Sequence, residues 1–214
     1  MKTELLLIRH GQSVANAQRF FAGHLDSCLT DLGVQQAHLA AKYIYDNYEV
    51  DGVYTSDLSR AYETGKAVAD LYGLPVISSE TLREVFAGQW EGVSFDTLLE
   101  KFSESYLLWR NDIGNAMCDG GESVAALQRR ILCALRDICD QNPGKTVVVA
   151  THATPIRALQ CHCQGKSLDE MKDITWVSNA SVSAFIYEDG QFSEKYISYD
   201  AYLGQLTSVL PKNC

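Results

Sequence analysis

The chain has 214 residues, 46% of them hydrophobic, enough for one sizeable core, and no Pro/Ser/Gly-rich linker divides it; a single domain spanning 1–214 is expected. Its 18 basic and 27 acidic residues leave a net charge of −9, which argues against nucleic acid or an anionic membrane surface as partner, because both need a clustered positive field. No stretch approaches a membrane span, the first residues hold too few apolar side chains for a signal-peptide core, and the seven cysteines are scattered rather than patterned, so a cytoplasmic protein with mostly free thiols is expected.

The first element is an apolar strand, Leu5-Leu6-Leu7-Ile8, that runs straight into Arg9-His10-Gly11-Gln12-Ser13, with Gly11 read as freeing the backbone to turn. After a loop through Gly23, Thr30 to Tyr48 carries Val34, Ala37, Ala41, Ile44 and Tyr48 at helical spacing behind an N-cap at Thr30. Gly52 to Ser56 reads as a second strand, Leu58 to Tyr72 as a second helix closed by Gly73 and Pro75, and Val76-Ile77 as a third strand. From about 82 to 142 the texture changes to short aromatic-rich helices and then a long helix after Gly120-Gly121-Glu122-Ser123, with an apolar stripe of Val124, Leu127, Ile131, Leu135 and Ile138. This region is expected to form a helical insertion over the C-terminal ends of the strands. Thr146 to Ala150 is then a β-branched run of the kind buried on both faces of a parallel sheet, and it delivers Thr151-His152. A helix over Thr154 to Cys163 and a hairpin of Ala180 to Tyr187 with Phe192 to Ser198 about Asp189-Gly190 complete an α/β pattern.

Arg9 and His10 taken alone could simply end an ordinary strand. A second buried strand with the same kind of ending changes the reading, because ligands of open α/β sheets sit outside the carboxyl ends of the strands, where His10, the loop after Ser56 and His152 converge. Arg60 lies one helical turn beyond the second strand. Two arginines and two histidines on a negatively charged protein call for an anion, and a phosphate monoester fits, since each guanidinium can grip its oxygens through two parallel N–H bonds. With the phosphorus clamped, neutral His10 can attack in line, its pKa lowered by the neighbouring cations and its other ring nitrogen donating to a backbone carbonyl. His152, held against phosphate oxygens, is expected as an imidazolium that donates to the transition state. The leaving alkoxide needs a proton, and both Glu84 and Glu91 are candidates in a segment whose aromatic neighbours could partly desolvate a carboxyl.

No metal is expected: Cys161-His162-Cys163 has ligand types, but adjacent side chains diverge and no second pair completes a tetrahedral set. No cysteine stands at the spacing from an arginine that a cysteine-based phosphatase needs. His24, His38 and His162 read as surface or packing residues. Phe86, Trp90, Phe95, Tyr106 and Trp109 read as core before pocket lining.

Leu7-Ile8-Arg9-His10-Gly11-Gln12-Ser13, Ser56-Asp57-Leu58-Ser59-Arg60-Ala61, Leu82-Arg83-Glu84 through Trp90-Glu91-Gly92, and Gly120-Gly121-Glu122-Ser123 together resemble the histidine phosphatase superfamily, the phosphoglycerate mutase-like group, over essentially the whole chain. The resemblance implies a three-layer α/β/α sandwich. It nominates Glu84 as proton donor and adds Ser13, Asn16 and Ala153 to Arg9, Arg60 and His152 as substrate-binding positions, with no cofactor and a small-molecule phosphoester as partner. Two departures stand out: Gln12 where a glutamate is common, and Ala153 where a glycine usually follows the second histidine. The compact stretch from Trp90 to Ser123 is more similar to the small phosphatases, the α-ribazole and broad-specificity types included, than to the cofactor-dependent mutases. A phosphoglycerate mutase and a catalytically silent phospho-ligand binder are the alternatives. Specificity is expected from the insertion and from the tail after Tyr199, which the sequence leaves open as either a lid over the site or a frayed terminus.

Overall fold

The computed structural model describes residues 1–208. Six strands form one sheet: β1 (Thr3–Arg9), β2 (Gly52–Ser56), β3 (Val76–Ser79), β4 (Thr146–Thr151), β5 (Val182–Glu188) and β6 (Gln191–Tyr199). Their order is β3-β2-β4-β1-β5-β6. The first four are parallel, and β5 and β6 add an antiparallel margin. The helices are α1 (Val14–Gln18), α2 (Asp31–Asn47), α3 (Ser59–Tyr72), α4 (Phe95–Lys101), α5 (Ser103–Asn111), α6 (Val124–Gln141) and α7 (Ala153–Cys163).

The unbroken apolar run of β1 exists because both faces of the sheet are covered. Leu5 and Leu7 share a cluster with Val147, Val149, Leu127, Leu135, Ile156 and Leu159, whereas Leu6 and Ile8 point the other way, to Val148, Val53, Ala40, Ile44 and Val68. The two-residue period of the strand thus sorts alternate side chains between the α6/α7 layer and the α2/α3 layer. Leu5 to Ile8 are wholly buried, each worth about 1.5–3 kcal/mol of apolar burial, which pins the strand that ends at His10.

Local signals account for the element ends. Thr30 caps α2 by accepting from the Gly33 N–H at 3.0 Å, and Ser123 caps α6 by accepting from Ala126 at 3.2 Å. Asp189 and Gly190, with φ of 51° and 79°, make the two-residue turn between β5 and β6, since that turn needs positive φ at both positions. The short helix α1 has no apolar periodicity to announce it; it is held by a capping box in which Ser13 and Asn16 bond each other's backbone N–H.

Two expectations change. The apolar stripe of α6 predicts a buried face without naming its partner, and α6 packs with α7 over the sheet, so the inserted segment ends before Val124 instead of running to 142. The tail beyond β6 packs on α2, with Leu203 buried among the α2/α3 side chains and Gln36 donating to the Leu206 carbonyl at 2.7 Å. Residues 201–208 therefore lie against the back layer, as neither a lid over the strand ends nor a frayed terminus; the rest of the tail, 209–214, with Cys214, lies outside the described residues. The other six cysteines are free. Among the described residues no helix is long and apolar enough to cross a membrane, and no three His, Cys, Asp or Glu side chains gather so as to hold a metal ion.

Candidate active site

Strand register brings the two histidines together. Arg9 is paired with Thr151 across the parallel β1/β4 ladder, so the next residues, His10 and His152, leave the sheet side by side, with the His10 N–H donating to Thr151 at 3.0 Å. Their ring centroids are 5.1 Å apart. On the other side of β4, β2 ends level with it and Ser56 sits 2.9 Å from His152 Nε2.

His10 Nδ1 lies 2.7 Å from the Gly11 carbonyl, which can only accept, so Nδ1 carries the proton and Nε2 of the neutral ring keeps a lone pair. Burial pushes the His10 pKa well below 6.5, the positive charges of Arg60 and Arg9 push it further, and the Gly11 carbonyl opposes them. Gly11 is required for a different reason from the expected turn. A Cβ there would come within 2.3 Å of the Gly33 carbonyl oxygen at the start of α2, so two backbones meet at this point.

His10, Arg9, Arg60, Ser13, Asn16, Glu84 and Ala153 all line one cavity of about 100 Å³. The Arg9 guanidinium is set by the Val177 carbonyl at 2.6 Å. That of Arg60, in the first turn of α3, is set by the carbonyls of Gly23 and Leu25 at 2.8 and 3.1 Å. Burial lowers the Arg60 pKa to about 10 against the opposing charges of Glu84, Asp26 and Glu91, which still leaves it a cation at neutral pH. Asn16 Oδ1 accepts from Ser13 N–H and from Asn179, so the amide is oriented. Ala153 opens α7, whose first N–H groups face an anion favourably.

His152 occupies the N-cap position of α7 without a side-chain capping bond and, wholly buried, lies behind His10 and is not among the residues that line the cavity. Its pKa is lowered well below 6.5 by burial first, then by Arg60, His10 and Arg9, so the protein around it favours the neutral ring and not the expected imidazolium. Its Nδ1 has no hydrogen-bond partner among the described residues.

Glu84 comes from the irregular stretch between two 3-10 turns, and its oxygens accept from the backbone N–H groups of Val85 at 2.9 Å and of Thr154, in α7, at 3.3 Å. Glu91 does not line this cavity; it accepts from the backbones of His24 and Ala87. The Glu84 segment is held from behind by Arg130 of α6, which donates to the carbonyls of Thr81, Arg83 and Glu84 and pairs with Glu122 at 2.8 Å.

Several contributors escape a reading of the chain. Asn179 donates to the His10 carbonyl and to Asn16, each at 3.1 Å, and the following Ala180 adopts φ 54° while bonding the Arg9 carbonyl. His24, expected as a packing residue, reaches the Glu84 carbonyl at 2.9 Å. Gln12 turns away from the cavity, accepting from the hydroxyl of Thr30, which explains why its departure from the common glutamate touches no site atom. Of the expected aromatics, Phe95 and Trp109 line the cavity, with Phe20, Phe21 and Trp176, whereas Trp90 and Tyr106 are core and Phe86 is exposed.

Residues 5–199 match the model of the histidine phosphatase superfamily (branch 1). The chain belongs to the histidine phosphatase superfamily. Within it, phosphoserine phosphatase 1 of Hydrogenobacter thermophilus is 29% identical over 202 residues, covering 94% of this chain and 95% of its own. Phosphoglycerate mutase-like protein 4 of Arabidopsis thaliana is 34% identical over 191 residues, covering 87% and 80%. A mutant phosphoserine phosphatase of Entamoeba histolytica, solved in complex with phosphoserine, superposes with a TM-score of 0.82 at 26% identity, covering 94% of this chain and 99% of its own. With these relatives, the chain is an enzyme of the histidine phosphatase type, and the six-stranded sheet flanked by helices is the fold it shares with them.

Proposed function

We propose that the protein hydrolyses a small-molecule phosphate monoester through a phosphohistidine on His10. The observation that carries this reading is the His10 ring: Nδ1 is locked on the Gly11 carbonyl, leaving the Nε2 lone pair available between two guanidinium groups and the start of α7. Arg9, Arg60, the amides of Asn16 and Ala153, and Ser13 would hold the phosphate dianion, whose charge they match. Nε2 attacks phosphorus, the bond to the ester oxygen breaks, and the Glu84 carboxyl gives its proton to the departing alkoxide. Glu84 then takes a proton from water as that water attacks the phosphohistidine, which returns the electron pair to Nε2 and frees inorganic phosphate. His152 donates from Nδ1 to the transferring oxygens; its ring 5.1 Å from that of His10 and the lack of a partner for Nδ1 among the described residues support that part. No step in this scheme calls on a metal ion.

The test is a rapid quench into alkali, which preserves a phosphorus–nitrogen bond, after mixing with a labelled phosphoester. Label that stays on His10 in alkali, is lost in acid and passes to water supports the reading. Label passing to a phosphoglycerate makes the protein a mutase, and no label together with no phosphate release makes it a binder. His10→Ala is expected to abolish labelling, while His152→Ala slows kcat on the order of 10²–10³-fold with labelling retained.

A further inference from the structure

Beyond the phosphate cluster, the cavity has an unusual shortage of charge. Among the described residues that line it, only Arg9, His10, Arg60 and Glu84 can carry one. Three ionisable groups nearby are committed elsewhere. His24 bonds the Glu84 carbonyl, Glu91 accepts from the His24 and Ala87 backbones, and the guanidinium of Arg157 is buried behind Trp176 and bonds the carbonyls of Met171 and Ile174. Arg19, at the end of α1, is exposed and does not line the cavity.

Most of the remaining wall is aromatic, with Phe20, Phe21, Phe95, Trp109 and Trp176 drawn from three separate parts of the chain and Ala22, Gly23 and Thr154 completing it. These rings are fixed in place. Phe21 packs edge-on against Trp109 at 5.2 Å and Phe95 at 6.5 Å, and the Phe21 N–H and carbonyl are stitched to Val93 and Gly92 of the inserted segment. Trp176 has the Arg157 guanidinium 3.9 Å from its ring centre, so it is braced by a group that itself has no play.

We infer that the leaving group is an uncharged alcohol bearing a flat or apolar ring, and not an amino acid or a carboxylate. This rests on the phosphatase reading above. Once both arginines hold the phosphate, the carboxylate of a phosphoserine or a phosphoglycerate would meet a mostly aromatic wall with no further cation among the described lining residues to pair with, and an ammonium group would find among their carboxylates only Glu84, the proposed proton donor. A ring meets surfaces already arranged to receive it, with little ordering left to do on binding.

The experiment compares kcat/KM of the full chain on four esters of ordinary alcohols: benzyl phosphate, ethyl phosphate, O-phosphoserine and 3-phosphoglycerate. Benzyl phosphate is expected to exceed each of the others by roughly tenfold or more. Equal or faster release from phosphoserine or phosphoglycerate overturns the inference while leaving the phosphatase reading intact; no release from any of the four overturns both. Trp176→Ala is expected to shrink the benzyl-to-ethyl ratio several-fold, and Phe95→Ala, on a different element, provides a second arm if the first variant does not fold. A ratio unmoved in a folded variant sinks the inference.

Discussion

At His10 one backbone carbonyl decides which ring nitrogen keeps its lone pair in the neutral ring, and burial with two arginines favours that neutral ring. The consequence is kinetic. Because the proposed attack needs the neutral ring and its pKa is held well below 6.5 in the ligand-free site, the acid limb of kcat/KM contributed by His10 is expected below that value, and Arg60→Met, which removes the larger of the two coulombic influences, should move the limb to higher pH. A pH–rate profile of both proteins checks this, and a limb that stays put would assign it to another group. The same shifts act on stability. His10 and His152 are neutral in the folded chain and take up protons on unfolding once the pH falls below their ordinary 6.5, so their contribution is complete above that pH and is lost as pH drops toward the lowered folded values. Thermal unfolding of His152→Gln between pH 7.5 and 5 should therefore show a shallower decline than the parent, provided Gln keeps the bond to Ser56.

Among the elements, α6 has a second duty besides covering the sheet. Arg130 gathers three carbonyls of the segment that carries Glu84 and is itself oriented by Glu122, which also accepts from the Phe86 N–H. A loop without regular structure has few backbone bonds of its own to fix a carboxyl within a fraction of an ångström, so a helix supplies them. Arg130→Ala is expected to lower kcat on the order of 10- to 100-fold with KM nearly unchanged, because the phosphate-binding groups lie on β1, α1, α3 and α7. Arg130→Lys should recover only part, one ammonium being unable to span the same carbonyls. Steady-state kinetics beside a thermal melt separates this from a general loss of stability, which would not spare KM while changing kcat.

At the scale of the whole molecule, a chain of net charge −9 gathers two guanidinium groups and a helix N-terminus beyond the C-terminal ends of its strands, and the proposed scheme draws on them for the charge that other phosphotransfer sites take from metal ions. Phosphate release is accordingly expected to persist in excess chelator; loss of activity restored by a divalent cation would refute the scheme. Much of this layout was legible in the chain. The β-branched run of β4 and the apolar run of β1 announced strands covered on both sides, and the residues directly after them were the ones to watch, because strand ends in such sheets face the ligand. The adjacency of His10 and His152 follows from that. What hydrophobic pattern could not say was what each buried face meets: the stripe of α6 is the same whether it packs on an insertion or on the sheet, and a motif-free Asn179, Arg130 or Trp176 gives no local sign of the site it serves. Sequence alone determined which side chains were candidates for the chemistry and which segments must be buried, because residue type and period are local properties. Only the folded chain decided their partners, the burial that lowers the His152 pKa and the aromatic part of the cavity wall, because register, desolvation and contact between distant segments come into being when the layers close on one another.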